Sequence, residues 1–204
     1  MEILKINVKN PEAEIIKRAV KIIKNGGVVA FPTDTAYGLA VDALSEEAIG
    51  KLFIIKQRVQ KPLPVIVDSE KMLGQIAEVT SKEKKLIKKY WPGALTIIFK
   101  KKKTVPPFLT LGLPTIGARV PDSAVALALV KAYGKPLSST SANITGQGNC
   151  YNAECVSRMF RDSESRPDLI LDAGELPEVP VSTVVQLDDK GIEVIRQGAV
   201  RVKL

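Results

Sequence analysis

The stretch NPEAEIIKRAVKIIKNGGVVAFPTDT, residues 10–35, decides how this chain folds. Its residues Ile15, Ile16, Ala19, Val20 and Ile23 recur at the spacing of one helix face, which predicts an amphipathic helix. Asn10 and Pro11 suit its N-cap and first position, and Gly26-Gly27 its end. The period then changes. Val28 to Phe31 is a short apolar run bounded by turn residues, the pattern of a buried strand. Pro32, Thr33, Asp34 and Thr35 follow directly, placing hydroxyls and a carboxylate at a strand end, where open sheets bind ligands.

The alternation continues outward. Ser45 opens a helix running to about Gln57, Leu63–Val67 reads as a strand, Ser81 starts a helix, and Ala94–Phe99 is again strand-like. Ile116–Val120 reads as a strand, Asp122 as the cap of the apolar helix Ser123–Tyr133, and Pro136–Ser139 as a short strand. Asn152 suits the cap of a helix to about Phe160. The strands Leu169–Leu171, Thr183–Leu187 and Ile192–Arg196 complete the series. The expected fold class is α/β, one domain over residues 1–204 around a mixed β-sheet.

Composition narrows the chemistry. The chain has no histidine, which removes Ser-His-Asp triads, imidazole acid–base catalysis and most metal sites. A formal net charge of +8 favours anionic partners such as nucleotides or RNA. Cys150 and Cys155 are too few for a disulfide framework or a four-ligand zinc site and are read as ordinary thiols. The longest apolar stretch, Ala124–Val130, is too short for a bilayer, and no signal peptide pattern precedes the first helix. A soluble cytoplasmic protein with no membrane partner is expected.

Several polar clusters stand out against this frame. Lys56 and Arg58, with Lys61 behind them, end the second helix. They read either as cations complementing its dipole in solvent or as a phosphate clamp. Thr33, Asp34 and Thr35 form either a turn cap or a grip for an ammonium group. Ser138, Ser139, Thr140, Ser141 and Asn143 crowd hydroxyls and an amide into one loop suited to phosphate or ribose oxygens. Arg119 lies within a predicted strand, either solvated or paired, and alternation leaves both open; Arg196 poses the same question. The lysines of 82–89 and 100–103 read as solvated surfaces. Neither a P-loop nor a dinucleotide-binding glycine fingerprint is present.

Taken in order, Pro32–Leu39, Lys56–Arg58, Trp91–Thr96, Arg119–Pro121, Ser141–Asn143, Ser182–Thr183 and Arg196 resemble the motifs of the YrdC-like threonylcarbamoyl-AMP synthase family. That resemblance implies a twisted mixed β-sheet flanked by helices around a concave basic cavity. It implies synthesis of threonylcarbamoyl-adenylate and pyrophosphate from L-threonine, bicarbonate or CO2, and ATP with Mg2+, without a tightly bound organic cofactor. The product then serves a downstream threonylcarbamoyl transferase complex that modifies tRNA position 37, with direct tRNA contact possible.

The resemblance places Thr35, Arg119, Ser141 and Ser182 around threonine. It places Lys56, Arg58, Thr115, Ser139, Asn143 and Arg196 on ATP, with Lys56 and Arg58 carrying catalysis and no protein-bound metal. Replacing Lys56 by alanine is expected to reduce turnover far more than stability. Val59 stands where many members have Pro, and Ile66 or Val67 where some carry histidine. The longer members' C-terminal extension domain is not expected here. The competing reading is a non-catalytic double-stranded RNA or tRNA-binding module, for which cations would be spread along a groove.

Overall fold

Two mixed sheets carry the alternating elements in a computed structural model of the chain, which describes residues 1–57, 61–188 and 191–203. In chain order the first half contains β1 (Glu2–Lys5), α1 (Ala13–Lys24), β2 (Val29–Pro32), β3 (Tyr37–Ala40), α2 (Glu46–Ile55), β4 (Val65–Ile66), α3 (Glu70–Ile76), β5 (Ala77–Glu78), α4 (Ser81–Tyr90) and β6 (Leu95–Lys101). The second half contains α5 (Pro107–Thr110), β7 (Thr115–Arg119), α6 (Ala124–Tyr133), β8 (Leu137–Ser138), β9 (Thr140–Ser141), α7 (Ala153–Met159), β10 (Leu169–Asp172), β11 (Thr183–Asp188) and β12 (Gly191–Arg196).

The first sheet is five-stranded in the order β1-β10-β2-β3-β9, and the second follows β12-β11-β6-β7-β4-β8 with β5 beside β6. Parallel and antiparallel pairs occur in both. The expected α/β class holds, with the strands shared between two sheets. The chain crosses between them after β3, after β8 and after β10; the tightest crossing is at Ser139, between β8 and β9, where Ser139 N–H donates to the Pro64 carbonyl at 2.9 Å. The hydroxyl-rich loop is therefore the seam of the fold.

Local rules explain most boundaries. Ser45 caps α2 by accepting from Ala48 N–H, and Asn152 caps α7 by accepting from Cys155 N–H at 2.7 Å. Thr80 and Glu83 form a reciprocal capping box on α4. Two caps differ from expectation. Asn7, not Asn10, organises the approach to α1: its Oδ1 accepts from Lys9 and Asn10 N–H, and the helix begins only at Ala13. Ser123, not Asp122, caps α6 by accepting from Ala126 N–H, and the Asp122 N–H donates to Asp34 Oδ2.

The elements absent from the sequence reading are short or fully buried. Helix α3 has seven residues, too few for a clear period, and every residue of β3 is buried, so its polarity does not alternate. Around them, Phe31, Tyr37, Leu39, Ile97, Phe99 and Leu169 are fully enclosed. Tyr37 Oη accepts from Ala173 N–H at 2.9 Å and donates to the Gly174 carbonyl, and burial pushes its pKa up to about 12. It anchors β3 to the end of β10.

The thiol reading of the cysteines is corrected: Cys150 and Cys155 form a disulfide, with Cα atoms 5.4 Å apart. The start of α7 folds back to bring them together, which no count of cysteines reveals. Cys150 also accepts Tyr37 N–H at its carbonyl, so the bridge ties the seam loop to β3. Closing so short a loop stabilises by about 2 kcal/mol. Reduction is expected to lower the unfolding free energy by about that amount, checked by urea titration with and without a phosphine reductant. Unchanged midpoints would show that the thiols are unpaired in solution.

Candidate functional site

Where the two sheets meet, they enclose a cavity of about 190 Å3. The turn between β2 and β3 supplies Thr33, Thr35, Ala36, Tyr37 and Gly38. The seam adds Ser139, Thr140 and Ser141. From the second sheet come Pro64, Val65, Thr96, Arg119, Val181, Ser182 and Arg196. This volume is below the usual range for drug-sized ligands and suits one small polar molecule, or one end of a larger one.

Thr33 sets the β2–β3 turn. Its Oγ1 donates to the Ala36 carbonyl at 2.7 Å and accepts from the Thr35 and Ala36 N–H groups. Thr35 Oγ1 lies 3.1 Å from Thr33 Oγ1; with the Thr33 proton committed to Ala36, Thr35 is the donor there and keeps lone pairs for the cavity. Asp34 is thrown to the other side of the turn, where its Oδ1 lies 3.0 Å from Arg119 Nη1. Both side chains are almost wholly buried, so of the two readings of Arg119 the paired one holds. Burial pulls the Arg119 pKa down and the adjacent carboxylate opposes that pull.

The cavity's second guanidinium is arranged differently. Arg196 donates through Nε and Nη2 to the Ser182 carbonyl at 3.1 and 2.8 Å, and through Nη2 to Ser182 Oγ at 3.1 Å. Ser182 Oγ is also 3.1 Å from Thr96 Oγ1. Partial desolvation lowers the pKa of Arg196, whose side chain reaches solvent, and the charge of Arg119 lowers it further. Two cations that repel each other across a partly enclosed space favour an anion between them. The expected concave basic cavity is thus present.

Lys56 has a different surrounding from that of a free phosphate clamp. It is 1% exposed, and its ammonium donates to the Ser141 carbonyl at 2.6 Å, the Asn143 carbonyl at 2.8 Å and Asn143 Oδ1 at 3.0 Å. Asn143 Oδ1 also accepts from Ser141 Oγ at 2.7 Å, and Asn143 Nδ2 donates to the Gln147 carbonyl. The K-x-R and S-x-N segments therefore meet as one polar cluster that shapes the seam loop. Losing Lys56 is therefore expected to cost stability as well as turnover, because three acceptors of the loop share its ammonium.

The structure thus brings Thr35, Arg119, Ser139, Ser141, Ser182 and Arg196 to one cavity. Lys56 and Asn143 stand behind its Ser141 wall. Thr115 lies outside the cavity lining, four residues from Arg119 on the same face of β7 and roughly 13 Å along it. Arg58 falls outside the described residues. Thr33 takes the turn-cap reading, whereas Thr96 has no role in the sequence reading. The signal for Thr96 was present in β6, where Leu95, Ile97 and Phe99 share the core face and Thr96 points the other way.

With this geometry in place, the similarities are informative. A family model described as Sua5_yciO_yrdC, telomere recombination, matches residues 21–198. The chain belongs to that family. The threonylcarbamoyl-AMP synthase of Pyrococcus abyssi is 35% identical over 185 residues, covering 90% of this chain and 54% of the relative. This chain thus spans about half the length of that protein. The Klebsiella pneumoniae threonylcarbamoyl-AMP synthase is 35% identical over 76% of this chain and 83% of its own length. Among solved structures, P. abyssi Sua5 complexed with L-threonine superposes with a TM-score of 0.90 at 33% identity, covering 97% of this chain and 58% of that one. E. coli YciO gives 0.89 at 31% identity, covering 100% of this chain and 98% of its own. No described helix of the chain is long and apolar enough to cross a membrane.

Proposed function

We propose that this chain is an L-threonylcarbamoyladenylate synthase, joining L-threonine, CO2 or bicarbonate, and ATP to give threonylcarbamoyl-AMP and pyrophosphate. The observation that carries the reading is the convergence of Arg119, Arg196 and the hydroxyls of Thr35, Ser141 and Ser182 on one small cavity. Those side chains come from motifs far apart in the chain. Relatives named for this activity share about a third of its residues.

In this reading Arg119 receives the threonine carboxylate, with Thr35, Ser141 and Ser182 around the rest of the amino acid. Arg196 and Ser139 face the phosphates, with Lys56 and Asn143 shaping that wall and Arg58 and Thr115 extending the nucleotide contacts. Mg2+ arrives with ATP as part of the substrate and neutralises phosphate charge. The neutral amine of threonine takes up CO2 to form a carbamate, releasing one proton. A carbamate oxygen then attacks the α-phosphorus, a P–O bond forms, and the bond to pyrophosphate breaks. The attacking oxygen is already anionic, so the attack requires no general base. Positioning and charge neutralisation supply the acceleration. The adenylate passes to a separate transferase acting on tRNA.

The test is pyrophosphate release from ATP, Mg2+ and bicarbonate, with and without L-threonine. Release that requires both threonine and bicarbonate, with serine a poor substitute, is the expected result. No release, together with salt-sensitive binding of tRNA, would turn the assignment to an RNA-binding module. YciO, which this chain matches along its whole length, is the relative to assay in parallel.

A further inference from the structure

The cavity's two guanidiniums differ in one respect that the motifs do not record. Arg119 has a carboxylate 3.0 Å away, with the Arg119 and Asp34 side chains only 7% and 11% exposed. Arg196 is held by a neutral carbonyl and a neutral hydroxyl of Ser182. Among the described residues, no acid lies within ion-pair distance of Arg196. One end of the cavity therefore carries a balanced charge and the other an unbalanced one.

Asp34 is also placed so that it does not take Arg119 away from a ligand. It is not among the residues lining the cavity, so it stands behind the guanidinium rather than beside the ligand. The 3.0 Å contact runs between Asp34 Oδ1 and Arg119 Nη1 and leaves the other donors of the guanidinium to a ligand. Charge is offset while donor capacity remains. The other carboxylate oxygen accepts Asp122 N–H at 3.3 Å, and the Thr33 turn fixes the backbone on either side. Asp34 is thus held between the β2–β3 turn and the segment that follows β7.

We propose that Asp34 is a specificity-determining positioning residue that makes the Arg119 end of the cavity select a zwitterion over a simple anion. The inference rests on the reading that this end receives an amino acid. A bare carboxylate or a phosphate approaching Arg119 is attracted by the guanidinium and repelled by Asp34 behind it. An α-amino acid brings an ammonium that offsets the repulsion, because an added positive charge interacts favourably with Asp34. The polyanionic phosphates meet no such opposition at Arg196. A single buried carboxylate thereby separates the two substrates along one cavity and keeps triphosphate from occupying the amino-acid end.

The experiment is isothermal titration of the wild type, Asp34→Asn and Asp34→Glu with two probes. These are L-threonine and (3R)-3-hydroxybutyrate, which is threonine without its amine. The wild type is expected to prefer threonine, and Asp34→Asn to lose at least tenfold of that preference. Asp34→Glu keeps the charge and should restore the preference to within threefold. A structural role alone would weaken both probes together and leave their ratio unchanged. Asp34→Ser, smaller and equally uncharged, gives the same readout if Asp34→Asn does not fold. An uncharged variant with the wild-type ratio overturns the inference while leaving the synthase reading intact. A wild type that binds no threonine overturns the amino-acid reading, and the inference with it.

Discussion

Replacing Lys56 by alanine lowers the unfolding free energy by about 3 kcal/mol and cuts threonine-dependent pyrophosphate release by at least about 100-fold. The stability loss follows from the acceptors left behind. The carbonyls of Ser141 and Asn143 and the Asn143 side-chain oxygen all receive the ammonium, in a site that is 1% exposed. The Ser141 carbonyl keeps the Asn143 N–H and Asn143 Oδ1 keeps the Ser141 hydroxyl, so the acceptor stranded is the Asn143 carbonyl, at on the order of 1–3 kcal/mol, and the two lost charge-assisted bonds add the rest. The activity loss follows because Ser141 lines the cavity and moves with that loop. Lys56→Met, of similar length and without charge, should fail almost as badly, whereas a purely packing role would be rescued by it. Urea titration and the pyrophosphate assay on the same preparations check both parts. Wild-type stability in the alanine variant would show that the cluster does not hold the seam loop.

Truncating Arg119 to alanine is expected to be the most damaging single change to the amino-acid end. It strands the Asp34 carboxylate in a site only 11% exposed, and removing one partner of a buried ion pair costs about 3–5 kcal/mol. Combining it with Asp34→Asn removes the stranded charge, so the double variant should be clearly more stable than Arg119→Ala alone. Threonine affinity should not return. Loss of the charged anchor is worth at least about 100-fold in binding, and asparagine supplies no replacement for the guanidinium. Denaturation of both variants and titration with threonine separate the two effects. A double variant that binds threonine as the wild type does would remove Arg119 from the carboxylate role.

The sequence carried a good deal of this on local grounds. Ser45 and Asn152 mark helix starts because a cap acts within three residues of itself, and the α1 face is legible because its period repeats within one element. The motif order also identified the family. The chemistry of the residue types, with no histidine and an excess of cations, pointed toward charge-based rather than proton-transfer catalysis. Thr35 and Ser141 were legible as candidates because polar groups at strand ends have little use in a core, whereas Ser182, Arg119 and Arg196 owed their assignment to the family resemblance.

The pairings were decided elsewhere. Nothing local places β10 between β1 and β2, or divides the strands between two sheets, since strands of two to four residues choose neighbours through contacts distant in sequence. Nothing local turns Lys56 inward to the loop of Ser141 and Asn143. The same holds for Asp34 and Arg119, which come from different sheets and meet only when those sheets close over the cavity. A capping residue finds its partner one turn away, so sequence alone determines it. A buried charge must find its partner wherever folding excludes water, and only the tertiary structure decides where that is.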